Sequence, residues 1–340
     1  MVGKELLNQI HDKFSSTKPI EVRVIGLANS QQMCFDAKGI DLKNWKTQLI
    51  HSSEKMSIQS FIEKMSALDL PHSIFVDCTA SALIANSYPD ILKSRISIVT
   101  PNKKANSASY SNYCKLKDLA KQSQAKFLYD TNVGAGLPLI HTVKSLRGGG
   151  NTIVKIEAIL SGTLSYIFNT FDGTIPFSEF LRDAQQRGYT EPDPRDDLNG
   201  LDMARKFLIL ARESGFTFEM EDIAIEPFLP EECFTAASIS DFYAQLSSYD
   251  SYLSNLVIQT NQRRQALRFI GTLENGKVLP SLKTIDPEHP FFNLAGTDNI
   301  ASITSHIYSS NPIVIKGPGA GPSITAANVL SNIIQAGSNE

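Results

Sequence analysis

The sequence predicts an α/β protein: a doubly wound, Rossmann-like domain truncated at its first strand, followed by an α+β domain. Two observations predict this. From residue 21 to residue 130, short apolar strands alternate with amphipathic helices, the rhythm of a parallel sheet with right-handed crossovers. After Gly136-Leu137-Pro138 that rhythm gives way to mixed strands and helices around an Asn-Gly hairpin signal. A chain of 340 residues is long enough for both domains, placed at 1–135 with 317–340 and at 136–316.

Taken in order, Leu6, Leu7, Ile10 and Phe14 share one face of a helix over 4–14, and Pro19 closes the connection after it. Residues 21–28 (EVRVIGLA) read as a buried strand rich in β-branched side chains. Further strands are expected at 74–78, 96–100 and 126–130, with helices at 58–68, 83–92 and 110–122. A helix over 139–146 leads into Gly148-Gly149-Gly150, a flexible loop, and 152–160 alternates like a half-buried strand. Pro176 stands where N1 of a helix is favoured and Gly188 where its C′ is favoured. Strands at 267–273 and 278–283 flank Asn275-Gly276. Strands at 303–308 and 312–315 and a helix at 323–335 complete the chain.

Composition narrows the function classes. Apolar content of 42% and charged content of 20% are those of an ordinary soluble globular protein. A net charge of −3, with no basic stripe interleaved with aromatics, argues against nucleic acid as partner. No apolar run approaches the ~20 residues that span a bilayer, and the N-terminus shows no signal-peptide apolar core. Cys34, Cys78, Cys114 and Cys233 lack paired spacing, and the histidines lack metal spacing, so a zinc site is not expected. A soluble cytoplasmic enzyme is the natural class.

The most informative stretch runs from Gly188 to Lys206 (GYTEPDPRDDLNGLDMARK). It places Glu191, Asp193, Asp196, Asp197 and Asp202 on a segment that Pro192 and Pro194 stiffen. Leu198, Leu201, Ala204, Phe207, Leu208 and Ala211 then recur at helical spacing, which puts Asp202 and Lys206 on one face. Anions beside a proton-carrying amine suit an amino-acid substrate. Spacing alone equally fits a solvated ion pair and an ordinary acidic helix start.

This run closely resembles the signature of homoserine dehydrogenases. Further blocks in family order are Ile25-Gly26-Leu27-Ala28-Asn29-Ser30, Val76-Asp77-Cys78-Thr79-Ala80, Thr100-Pro101-Asn102-Lys103-Lys104-Ala105-Asn106, Asn132-Val133-Gly134-Ala135-Gly136-Leu137-Pro138, 160–169 (LSGTLSYIFN) and Lys316-Gly317-Pro318-Gly319-Ala320-Gly321. The likeness extends to about Ala336 and is to the dehydrogenase half of bifunctional aspartokinase–homoserine dehydrogenases. It implies NAD(P)H-dependent reduction of L-aspartate 4-semialdehyde to L-homoserine, a homodimer or higher homo-oligomer, and a possible fused aspartokinase.

The resemblance also implies roles. Lys206 performs proton transfer and Lys103 is a second catalytic lysine, Lys104 a bystander. Glu191 and Asp197 receive the substrate ammonium, Asp202 helps orient it, Tyr189 lies on the same loop, and Gly162 and Thr163 meet the carboxylate. Gly3, Ala28, Asn29, Ser30, Thr79, Ala80, Lys103, Gly319 and Gly321 contact the cofactor. Neutral Asn29 and Ser30 permit NADP, with NAD also possible. Locally, a strand-end turn at Asn29, an N-cap at Thr79-Ala80-Ser81 and a tight turn at Gly317–Gly321 account for these residues as well. A monovalent cation such as sodium is implied at Asp130 and the carbonyls of Val133, Ala135 and Leu137, where a tight hinge is the local alternative. Only the last glycine of the family's phosphate-binding turn, Gly3, is present; the chain reads as cut inside that turn, and a catalytically impaired fragment is the rival expectation.

Overall fold

The computed structural model describes residues 1–14 and 20–338; Pro19 and the side chain of Phe14 lie outside the described residues. The chain divides into two compact units, Met1–Gly136 with Gly321–Glu340, and Leu137–Ala320.

The first unit opens with α1 (Val2–Phe14), β1 (Gly26–Ala28), β2 (Met33–Phe35), α2 (Trp45–Ile50) and α3 (Ile58–Leu68). There follow β3 (Ile74–Val76), α4 (Ala82–Asn86), α5 (Tyr88–Lys93), β4 (Ser97–Val99), α6 (Tyr110–Ser123) and β5 (Phe127–Leu128). The expected parallel sheet is present as β3-β4-β5. The strand expected over 21–28 departs from that reading. Only β1 forms, and it pairs antiparallel with β2, which the sequence analysis did not identify, outside the parallel sheet. The cause is a local return of the chain: the carbonyls of Val24 and Ile25 accept from Ile40 and Asp36, while Glu21 and Arg23 pair with each other at the surface. The helix expected over 83–92 is two helices, because Ser87 ends α4 and Pro89 sits in the first turn of α5. Helix α2 was likewise not expected.

The second unit contains α7 (Leu139–Gly148), β6 (Ile153–Ile159), α8 (Gly162–Thr170), α9 (Phe177–Gln186), α10 (Arg195–Leu198) and α11 (Leu201–Glu213). It continues with α12 (Glu231–Thr235), α13 (Ile239–Ser247), α14 (Asp250–Gln262), β7 (Ala266–Glu274), β8 (Lys277–Ile285), β9 (Asp298–Ser305) and β10 (Ile313–Pro318). The chain then returns to the first unit as α15 (Pro322–Gly337). Its sheet is antiparallel, in the order β10-β9-β6-β7-β8. The Asn275-Gly276 hairpin forms as expected, both residues taking the positive φ that such a turn needs.

Three sequence expectations shift. Pro176 caps α9 instead of occupying its first turn. Strand β9 starts five residues before the expected 303 and ends at Ser305, because polar Asp298 and Asn299 pair with β10 instead of turning. Gly317 and Pro318 belong to the edge strand β10 and not to a loop opening the last helix; an edge tolerates a proline.

Two glycines place α11. Gly200 holds φ +73 between α10 and α11, the left-handed turn that aims the second helix. At Gly271 in β7, an added Cβ would lie 2.1 Å from Cε2 of the fully buried Phe207 ring, so α11 approaches the sheet through the missing side chain. Gly271→Ala is therefore expected to cost ~1–3 kcal/mol through overpacking. Denaturant titration checks this, and an unchanged midpoint would contradict it.

Candidate active site

In the second unit, β6 ends at Ile159 and α8 begins at Gly162, so Leu160 to Thr163 forms the joint between a central strand and a helix start. Ser161 caps that helix by accepting from the Leu164 amide. The Thr163 hydroxyl donates to Asp197 Oδ1 at 2.9 Å, and Asp197 Oδ2 accepts from the backbone N–H of Glu191 at 2.7 Å. One half-buried carboxylate thus ties the acidic loop to the first turn of α8. Burial pushes the Asp197 carboxyl up, the hydrogen bonds from Glu191 and Thr163 pull it down, and the charges of Glu191 and Asp196 raise it again; the net direction is upward.

Other contacts fix the same loop. Tyr189 stacks on Tyr166 with centroids 3.9 Å apart, and Tyr166 in turn stacks on Phe180. Gln185 donates to the Pro192 carbonyl at 2.7 Å. Asp193 is consumed by Arg195 at 2.6 Å, so it is not one of the acids presented to a ligand. The Glu191 side chain is exposed while its backbone is held.

On α11, Asp202 and Lys206 meet at 2.7 Å, as their four-residue spacing predicts. This is not a solvated surface pair. The Lys206 side chain is 13% exposed, and its Nζ also donates to the Leu160 carbonyl at 2.5 Å. Lys206 and Asp197 therefore engage opposite ends of the Leu160–Thr163 joint. An ammonium has three N–H donors, and these two bonds leave one for a ligand. An added Cβ at Gly162 would make only ordinary contacts with Thr297 and Ala320.

In the first unit, the carboxyl ends of β3 and β4 and the turn after β5 are joined by a buried polar network. Asp77 Oδ2 accepts from the Tyr88 hydroxyl at 2.7 Å and from Asn102 Nδ2 at 2.9 Å, and Asp77 Oδ1 accepts from the Thr79 amide at 2.7 Å. Thr100 donates to the Asp77 carbonyl, and Asn132 Nδ2 donates to the Thr100 carbonyl. Asp77, Tyr88, Thr100, Asn102 and Asn132 are all at most 3% exposed. The network leaves Thr79 and Ala80 at the surface, and sets the backbone on either side of Lys103, whose carbonyl accepts from Ser107. Lys104 is the more exposed of the lysine pair. Sequence reasoning gave these network residues no role, although Asp77 and Asn102 stand inside quoted blocks; a carboxylate ending an apolar strand was the available signal.

The remaining predicted positions are dispersed. Asn29 Oδ1 accepts from the Gln31 and Gln32 amides, so its side chain closes the β1–β2 turn next to Ala28 and exposed Ser30. Gly3 lies within α1, where an added Cβ would sit 3.5 Å from Cys78 Cβ. Gly319 lies in the second unit, where Asn299 fills the space a Cβ would need; Gly321 caps α15 at φ +118. Asp130 and Val133 are buried, Ala135 takes φ +51, and Leu137 begins the second unit. Asn332 on α15 donates to Asp130 Oδ2 at 2.8 Å and Asn328 donates to the Ala135 carbonyl at 2.8 Å. Sequence reasoning missed both asparagines; two amides four apart on one helix were the legible trace. Among the described residues, no group of His, Cys, Asp and Glu is arranged to hold a metal ion.

The family described as homoserine dehydrogenase matches residues 138–334, and its NAD-binding domain matches residues 1–130. The chain is 40% identical to bifunctional aspartokinase/homoserine dehydrogenase 1, chloroplastic, of Arabidopsis thaliana, covering 98% of this chain and 37% of that one. It therefore spans little more than a third of the length of such relatives. It is 39% identical to the homoserine dehydrogenase of Schizosaccharomyces pombe, covering 98% and 92%. Among solved structures, a Candida auris protein of unknown function is similar with TM-score 0.91 and 34% identity, covering 98% and 95%. A hyperthermophilic archaeal homoserine dehydrogenase in complex with NADPH shares the fold at TM-score 0.73 and 22% identity, covering 98% and 94%.

The Asp197 geometry has a testable electrostatic consequence. A half-buried carboxyl whose pKa is raised stabilises the fold while protonated, below the ordinary carboxylate range, and loses that contribution as pH rises through the raised value. Ionised Asp197 therefore costs stability near neutrality. Asp197→Asn, which can still accept from Glu191 and pair with Thr163, is expected to melt at or above the parent at pH 7–8, with the difference closing in acid. A clearly lower melting temperature at pH 7–8 would mean that the charge itself holds the loop.

Proposed function

This chain belongs to the homoserine dehydrogenase family, and we propose that it catalyses NAD(P)H-dependent reduction of L-aspartate 4-semialdehyde to L-homoserine. The observation that carries the reading is the joint at Leu160–Thr163, where a fixed acidic loop and a shielded, hydrogen-bonded lysine share one strand end. The impaired-fragment alternative draws no support from the comparisons.

The first unit is proposed to receive the cofactor and the second the substrate. Placing a dinucleotide at the carboxyl edge of β3 and β4 follows the rule for open parallel sheets, and the surface position of Thr79 and Ala80 fits it. The absence of an acid at Ala28-Asn29-Ser30 permits NADP, with NAD possible. Gly3, Gly319 and Gly321 are retained as proposed cofactor contacts. When bound, the reduced nicotinamide supplies hydride to the aldehyde carbon.

The chain's own residues do the rest. Gly162 and Thr163 at the helix start meet the substrate carboxylate, while Glu191 and Asp197, with Asp202 orienting, hold its ammonium. Tyr189, stacked on Tyr166, keeps that loop in place. Lys206 gives a proton to the carbonyl oxygen as negative charge develops, and in the reverse direction its neutral amine takes the homoserine hydroxyl proton. Lys103 is the second catalytic lysine of the proposal. A monovalent cation such as sodium is proposed at Asp130, Val133 and Ala135; the partnerless buried Asp130 Oδ1 fits a cation.

A homodimer or higher homo-oligomer, and an aspartokinase half in a longer gene product, are the proposed partners; several relatives carry that bifunctional name. A cytoplasmic location is proposed on the four unpaired cysteines. No described helix is long and apolar enough to cross a membrane.

The purified chain is expected to consume NADPH with L-aspartate 4-semialdehyde and to oxidise homoserine faster toward alkaline pH. Lys206→Ala should lose about 10²–10⁴-fold in kcat while NADPH affinity, read by fluorescence titration, is unchanged. Loss of both together would assign the lysine a structural role.

A further inference from the structure

We infer that Asn332, on the C-terminal helix α15, is an oxygen ligand of the monovalent cation and completes its site from a part of the chain far removed in sequence from the loop. The inference rests on the proposed cation at Asp130 and deepens it.

Asp130 is 7% exposed and Asn332 3%. Their side chains meet through Asn332 Nδ2 and Asp130 Oδ2 at 2.8 Å. That contact leaves one further oxygen on each group, and both of these, Asp130 Oδ1 and Asn332 Oδ1, are buried with no hydrogen-bond partner among the described residues. An ionised carboxylate oxygen and an amide oxygen only accept, so neither can satisfy the other. Turning the amide over would set its oxygen against Asp130 Oδ2 and lose the one bond that is made. Two orphaned acceptors bordering one buried contact, with no cationic side chain paired to Asp130 among the described residues, suit a species that offers positive charge to oxygen. One carboxylate and one neutral amide carry a single negative charge, which matches a monovalent ion.

The same helix holds the other end of the segment. Asn328, one turn before Asn332, donates to the carbonyl of Ala135, a residue in the left-handed conformation that side-chain-bearing residues rarely adopt. Helix α15 therefore grips residues 130–135 at both ends, and Asn332 does so with an oxygen left over.

The test is thermal unfolding of the full chain in sodium chloride against choline chloride at equal ionic strength, with ²³Na line broadening as a second readout. The parent should be stabilised by sodium in a saturable manner. Asn332→Leu should need at least about tenfold more sodium for the same stabilisation. Asn332→Asp keeps an oxygen but loses the amide donor. It should unfold more easily in choline and retain a sodium response at least as large as the parent's. A parent indifferent to sodium would overturn the cation reading itself. A responsive parent whose response survives Asn332→Leu would overturn only the role of Asn332. Loss of the response in Asn332→Asp would reduce Asn332 to an anchor for Asp130. Should Asn332→Leu fail to fold, Asn332→Ala, which likewise removes the side-chain oxygen, takes its place with the same two outcomes.

Discussion

The carboxylate of Asp197 is the constraint from which the rest of the site follows. It bridges a hydroxyl on the first turn of α8 and a backbone amide in the acidic loop, so two segments far apart in sequence become one surface. Hydrogen bonds to a charged group contribute about 1.5–3 kcal/mol each, enough to offset much of the desolvation that pushes this carboxyl up. Without the bridge, only the Tyr189 stack and the Gln185 bond to the Pro192 carbonyl would offset the ordering entropy of the exposed loop that carries Glu191. With it, the Glu191 side chain projects from a backbone that is already fixed, and a ligand needs to order less on binding.

The lysine depends on the same joint from the other side. Its Nζ reaches the Leu160 carbonyl, a group freed because β6 ends there, and Asp202 one turn earlier on α11 supplies the counter-charge. Gly200 and Gly271 matter because they set the entry angle and the depth of the helix that carries it. The first unit uses a comparable device. Asp77 spends its carboxylate on Tyr88, Asn102 and the Thr79 amide, turning the ends of two strands into a rigid ledge beside Lys103. In both units a partly or wholly buried acid is satisfied by backbone and side-chain donors before any ligand arrives.

The legible parts of the sequence were those carried by period and by turn chemistry. The Asn275-Gly276 hairpin, the α11 stripe and the Asp202–Lys206 face all rest on contacts within one or two elements. Tertiary pairing decided the rest. Residues 21–28 look like a core strand, yet their partners are the chain's own return at Asp36 and Ile40. Asp298 and Asn299 lie outside the strand expected at 303–308, yet β10 draws them into the sheet. The acidic loop was identified, but how its acids divide between ligand and structure was legible only in part, since nothing in the spacing pairs Asp193 with Arg195. Tyr88, Asn328 and Asn332 could not be assigned from spacing, because their partners at Asp77, Ala135 and Asp130 come from other elements.

Asp197 preassembles the acidic loop before substrate binds. Amide hydrogen exchange at Glu191 in the ligand-free protein reads that preassembly. Slow exchange is expected at this exposed position, and it should be lost when Thr163 and Asp197 are both replaced by alanine. Exchange at the rate of an unstructured peptide in the unaltered protein would contradict it.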